Sequence, residues 1–236
     1  MNLSGRRMNV QALADFGELS QKTRKHLVKV YSLLGGTTLS AFVGAGVGMY
    51  LEVGGLLTMI LGFGALFWLW SIPHTRETEK KRCGILLGFG LIEGVSLSPL
   101  LRMVIEVDSW IVVGALLATT TIFVCFSLCA LLAEKRSWLF LGGFLSSAVG
   151  MMAIMNLANI FVRSSVVFDI NVYLGLLIFC GFVIFDTQVI IEKSKVSEDY
   201  VSHSLELFLD LVNIFVRLLI ILSKNNKKKG GNSRSR

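Results

Sequence analysis

Four acidic residues, Glu93, Asp186, Glu206 and Asp210, interrupt long runs of Leu, Ile, Val, Phe and Gly. A charged group in hydrocarbon costs about 2.5–3.5 kcal/mol even on the lenient insertion scale, so such groups face protein or water and mark function by default. Asp186 falls about five residues inside the end of the apolar run 171–191, and Asp210 about five inside the start of the run 205–223. The loop between them returns the chain on the same membrane face. Both carboxyls therefore lie at equal depth, about 7–8 Å below one surface. Counting does not say whether they face each other. If they do, two carboxylates in one low-dielectric site cannot both ionise cheaply, and they would titrate as a unit. Ionised, the pair offers hard oxygen ligands to a divalent cation. Ca²⁺ takes six to eight oxygens, so two aspartates with Asn213, Thr187 or waters make a weak shell, suited to passage more than storage. Protons and Ca²⁺ would compete for it. The structural alternative is that each aspartate bonds a neighbouring helix, Asp210 with Arg217 for instance.

The element that must position Asp210 is the last apolar segment, LELFLDLVNIFVRLLIILS. Within it Glu206, Asp210, Asn213 and Arg217 are spaced 4, 3 and 4, so they share one helix face, and His203 extends that stripe by one more turn. A polar stripe on an apolar body cannot turn to lipid, which makes this the inner helix of a bundle. Glu93, between glycines in GLIEGVSLSPL, is either a third carboxylate along a path or a protonated hydrogen-bonding group. Arg217 either neutralises the stripe or snorkels from the helix end. His203 and His26 are expected at the membrane interface.

The rest of the chain reads as the housing. Of 236 residues 53% are hydrophobic, with mean hydropathy +0.68 and two prolines, too apolar for a soluble globule. Apolar segments at about 30–51, 54–72, 84–104, 110–133, 138–161, 171–191 and 205–223 predict an all-α membrane protein, a seven-helix transmembrane bundle with the last, polar-striped helix central. Residues 1–29 form a basic N-terminal segment, polar rather than a cleaved signal, with a weak amphipathic face at Val10, Leu13 and Phe16; 30–223 form the bundle; 224–236 form a basic tail. Small residues every four positions (Gly36, Ser40, Gly44, Gly48 and Gly142, Ser146, Gly150) predict close helix packing. Pro99 is expected to kink or end the third helix. The four cysteines, Cys83, Cys125, Cys129 and Cys180, read as small buried apolar residues. The first, third, fifth and seventh polar stretches carry fourteen Lys/Arg on one side against Arg102 and Arg163 on the other, placing the N-terminus in the cytosol. By the same rule the tail, with Lys224, Lys227, Lys228, Lys229, Arg234 and Arg236, is favoured in the cytosol, although seven crossings would put it on the far side. There it would lie on anionic lipid or hold acidic partners. The net charge of +7 is thus a matter of membrane orientation, not of nucleic acid. No nucleophile–base arrangement, P-loop or HExxH motif occurs in the sequence, so no enzyme activity is expected, and no cofactor beyond Ca²⁺ as a permeating or regulatory ion.

At these residues the chain resembles the Bax inhibitor family, the transmembrane Bax inhibitor motif proteins, over nearly its whole length. The stretches that carry the likeness are HLVKVY (26–31), ETEKKRCG (77–84), EGVSLSPL (93–100), EKRSWLFLGG (134–143), GFVIFDTQVIIEK (181–193) and DYVSHSLELFLDLVNIF (199–215). The likeness is to the endoplasmic-reticulum branch, in a plant-like form. It implies a seven-helix bundle with a central last helix, residence in the reticulum membrane, suppression of stress-induced cell death, and a pH-sensitive Ca²⁺ leak from the lumen. It also implies partners of the Bcl-2 or calmodulin type. By motif the family's aspartate pair falls on Asp186 of FDTQ and Asp210 of LFLDL. Two departures stand out: Ser98 occupies a position where many relatives have glycine, and neither Arg76 nor Arg82 aligns with the arginine latch of some bacterial relatives.

Overall fold

The computed structural model of the protein describes residues 20–133, 141–196 and 198–233, with side chains described as far as Asn226. The amphipathic face at Val10, Leu13 and Phe16, the loop cations Lys135 and Arg136, and the side chains of Lys227, Lys228 and Lys229 lie outside the described residues. Among those described there are seven α-helices and no strand: α1 (Gln21–Leu51), α2 (Leu56–Ser71), α3 (Glu79–Ile105), α4 (Trp110–Leu132), α5 (Leu141–Val162), α6 (Ser165–Lys193) and α7 (Tyr200–Ser233). Five of them, α1 and α3 to α6, are long and apolar enough to cross a membrane. The protein is a multi-pass all-α membrane bundle.

Local chemistry sets the helix ends. Ser20 caps α1 by accepting from the Thr23 amide, which starts the helix nine residues ahead of the apolar run, within the basic segment. Its other end closes on Glu52 in the left-handed region (φ 54°), whose amide bonds the Gly48 carbonyl. Gly54 then takes φ 154°, and an added Cβ there would meet Ser98, Val95 and Pro99. Ser164 caps α6 in the same way as Ser20 caps α1. Pro99 neither ends α3 nor leaves an orphan carbonyl. The carbonyl it cannot serve, Val95 O, accepts from the Ser98 hydroxyl at 2.8 Å, and that hydroxyl also bonds Val53 O at 2.8 Å. Serine at this position supplies a donor that glycine cannot.

The most extensive helix pairing is α1 against α3, made by small residues on both sides. A Cβ on Gly44 or Gly94 would collide with the backbone of Leu91 or Ala41, and Ser40 donates to Leu87 O at 2.7 Å. On α5 the expected packing holds at Gly142, which lies on Phe185, but Ser146 and Gly150 are exposed, because α5 packs on α6 alone. The cysteines divide similarly. Cys180 is buried and Cys83 half-buried against the Tyr200 hydroxyl, whereas Cys125 and Cys129 lie exposed on one face of α4, where lipid rather than protein is the apolar medium.

Helix α7 occupies the centre, touching α1, α3, α4 and α6 and holding Val201, Leu207, Phe208, Ile214 and Leu219 fully buried. It also crosses the whole bundle. Its first turns meet the start of α1 and the α2–α3 turn, while Lys224 bonds Asp169 at the start of α6 and Asn226 bonds Asp108 in the α3–α4 turn. The tail therefore leaves at the end opposite the start of α1. This corrects the expectation of a tail on the N-terminal side. Two acids at the far end hold the last helix there, and counting tail cations alone gives them no weight.

Candidate functional site

Asp186 and Asp210 stand on antiparallel neighbours, α6 and α7, and their carboxyls come within hydrogen-bonding reach of one another. A bond between two carboxyls needs a proton on one of them. Asp210 is 4% exposed, and its Oδ2 has no partner among the described residues. Glu206, one turn toward the start of α7, acts electrostatically on both, and its own Oε2 is buried without a partner among the described residues. Thr187, next to Asp186, is fully buried, its hydroxyl without a partner among the described residues. Two desolvated carboxyls with spare oxygens can hold a proton or face a cation, but cannot enclose one. Among the described residues no group of three or more His, Cys, Asp or Glu is arranged to hold a metal ion.

The other stripe residues are not gathered there. Asn213 turns away, its amide donating to Leu209 O and its side-chain oxygen accepting from Arg217 at 2.8 Å, so that oxygen is not offered to the aspartates. Arg217 does not pair with Asp210. Among the described residues its Nη1 bonds only the Asn213 backbone and side chain, and its guanidinium lies over the Phe179 ring at 4.5 Å. Glu93 stands apart, its carboxyl near Gly62 of α2. His203 and His26, each in the first turns of its helix, are not solitary. Both are buried and joined by a 3.0 Å bond between His26 Nε2 and His203 Nδ1, tying the first helix to the last. Ser204 donating to Val30 O and Ser194 to Thr23 Oγ1 reinforce that junction.

A family model described as "Inhibitor of apoptosis-promoting Bax1" matches residues 23–227. The chain belongs to the Bax inhibitor family. It is 46% identical to a probable Bax inhibitor 1 of Paralichthys olivaceus and 44% identical to Bax inhibitor 1 of Mus musculus, in each case over 97% of this chain and 98% of the relative. Bax inhibitor 1 of Arabidopsis thaliana is 40% identical over 95% and 91%. Animal and plant relatives lie at similar distances, so the likeness shows the family and singles out no branch of it.

In this Bax inhibitor the arginine that sequence reasoning set aside has a defined place. Arg82, on the first turn of α3, is buried, and its guanidinium reaches the loop before α7. Nη1 bonds Asp199 Oδ1 at 2.8 Å and His74 Nδ1 at 3.1 Å, and Nη2 bonds Ser202 Oγ at 2.9 Å. It clamps α3 to α7 and does not latch the aspartate pair. Burial alone would lift the Asp199 pKa, but hydrogen bonds from Arg82 and from the Ser202 amide and hydroxyl outweigh it and hold the carboxyl below its usual range. This clamp and the histidine pair are what sequence reasoning missed. The available signal was that Arg82 and Asp199 lie in two of the motif stretches, in polar turns on one membrane face.

Proposed function

We propose that this protein is an endoplasmic-reticulum membrane suppressor of stress-induced programmed cell death, its N-terminus in the cytosol, acting through a pH-sensitive Ca²⁺ leak or Ca²⁺/H⁺ exchange at Asp186 and Asp210. The observation that supports it is the pairing of the two carboxyls inside the bundle, Asp210 being 4% exposed with one oxygen unpartnered. The names of the relatives and of the family support the cell-death role. Nothing in the site assembles a nucleophile with a base, and the reading is of a non-enzymatic regulator. Protonation of the pair removes charge from the cation site, and by linkage Ca²⁺ and protons weaken each other's binding by the same factor. Ca²⁺ is cargo here: two carboxylates with spare oxygens bind it weakly enough to release it. The alternative is a non-transporting membrane scaffold that acts through bound partners, of Bcl-2 or calmodulin type, with the basic tail at Lys227, Lys228 and Lys229 as one docking point and anionic lipid as another.

Purified protein in Ca²⁺-loaded liposomes separates the two. On the leak reading, Asp186→Asn and Asp210→Asn each cut flux and flatten its dependence between pH 6 and 8, and the double variant adds little, because the pair acts as one unit. Equal flux in wild type and variants that remain folded would leave only the scaffold.

A further inference from the structure

His203, Asp210, Arg217 and Lys224 are spaced seven apart along α7, two helical turns at each step, and so form one seam. Antiparallel α6 faces it in nearly constant register: the residue numbers sum to 396 for Asp186 with Asp210, 392 for Gly175 with Arg217 and 393 for Asp169 with Lys224. The far end of the seam is polar as well, since Asn171 of α6 bonds Asn156 of α5 at 2.8 Å and Met152 O at 3.3 Å. Arg217 stands midway, about 10 Å from Asp210 and about 10 Å from Lys224 along the axis. Its guanidinium fills the notch left by Gly175, where a Cβ would collide with Nε and with the Met152 methyl.

The partnering of Arg217 sets it apart. Arg82 pairs with Asp199, Lys224 with Asp169 and Arg102 with Glu52. Among the described residues Arg217 has no ion pair, its Nε is buried without a hydrogen-bond partner, and its hydrogen bonds stay on its own helix while the guanidinium lies over the Phe179 face. A fixed positive charge is thus held half-buried on the central helix without a counter-ion among the described residues. An apolar side chain of similar length would fill the same notch at lower cost. Packing therefore does not account for the charge, whereas repulsion of a passing cation does.

We infer that Arg217 is the electrostatic barrier of the cation path, a specificity-determining residue that sets the rate on the far side of the aspartate pair. This rests on the flux reading above. Coulomb repulsion scales with the charge of the ion, so the barrier for a divalent cation is twice that for a monovalent one, and removing it raises the divalent rate by the square of the monovalent factor.

The test is efflux of Ca²⁺ and of K⁺ from liposomes containing wild type, Arg217→Gln, Arg217→Met, Arg217→Lys or Asp210→Asn, each checked by thermal unfolding. Expected are about a tenfold rise in Ca²⁺ flux with about a threefold rise for K⁺ in Arg217→Gln, near wild-type flux in Arg217→Lys, and unfolding temperatures close to wild type in Arg217→Met, since no charge is stranded and only the Asn213 oxygens lose a donor. A rise of equal factor for both ions, or an equal rise in Arg217→Lys, would show a loosened seam and overturn the inference. So would unchanged flux in Arg217→Gln and Arg217→Met while Asp210→Asn still abolishes it. Flux unaffected by Asp210→Asn would instead remove the path itself, and the barrier with it.

Discussion

Replacing Arg82 tests whether the clamp between α3 and α7 holds the central helix in place. The guanidinium is 4% exposed and Asp199 19% exposed, and one 2.8 Å bond joins them. Removing one partner of a buried pair typically costs about 3–5 kcal/mol, because the other charge stays desolvated. The residual exposure of Asp199 favours the lower figure, about 3 kcal/mol. For a chain of this size that is a fall of roughly 6–12 °C in the unfolding midpoint of Arg82→Met. Asp199→Leu should fall by a similar amount. The double variant Arg82→Met/Asp199→Leu should be less damaged than the sum by about 1–3 kcal/mol, since neither charge is then left alone. The assay is tryptophan-monitored thermal unfolding in detergent, repeated across pH. Asp199 has a depressed folded pKa, so its contribution is present above its unfolded value, about 3.9, and is lost as pH falls through the folded value. With His74, the titratable ring beside the pair, replaced by Gln, the clamp energy should therefore be flat between pH 5 and 8. Strict additivity of the two single variants would refute the pairing argument. A clamp energy that collapses between pH 7 and 6 would refute the protonation argument.

Two shorter predictions concern packing and topology. Gly94→Ala drives a methyl into the Ala41 backbone across the α1–α3 contact and should cost more than the few tenths of a kcal/mol of an exposed substitution, on the order of 1–3 kcal/mol; an unchanged unfolding midpoint would show that the two helices can part there freely. A glycosylation acceptor fused after Arg236 should be modified in microsomes while one placed before Met1 is not, since α7 carries its tail to the end opposite the start of α1; the reverse pattern, or no modification of either, would contradict a full crossing by α7.

Much of the architecture was legible because membrane constraints act on single segments. An apolar run of twenty residues must be helical, and a polar stripe on one must face inward, so seven helices and a central α7 follow without knowing any contact. The equal depth of Asp186 and Asp210 was legible for the same reason, being a matter of residues counted from a shared loop. Their approach to each other was not, because it depends on the rotation of α6 about its own axis. Asn213 shows the limit of stripe reasoning. It lies on the right face of α7, yet its side-chain oxygen is taken by Arg217 one turn away, a local competition that spacing cannot arbitrate.

What the sequence hid were contacts between residues far apart in the chain. His26 and His203 each read as a solitary interfacial histidine; together, 177 residues apart, they form a bond buried between the first helix and the last. The basic tail is the instructive error. Counting cations treats each loop as an independent charge in a field, worth about 1 kcal/mol per residue at an anionic surface. The far end of the bundle, however, presents Asp169 to Lys224 and Asp108 to Asn226. Orientation is a sum over the whole set of helices: fourteen cations on the N-terminal side outweigh six in the tail. Once six helices are fixed by that majority, a seventh with a polar stripe has only one place to hide it. The direction of α7 is then set by burial of the stripe and by the acids waiting at its end, with the tail carried along.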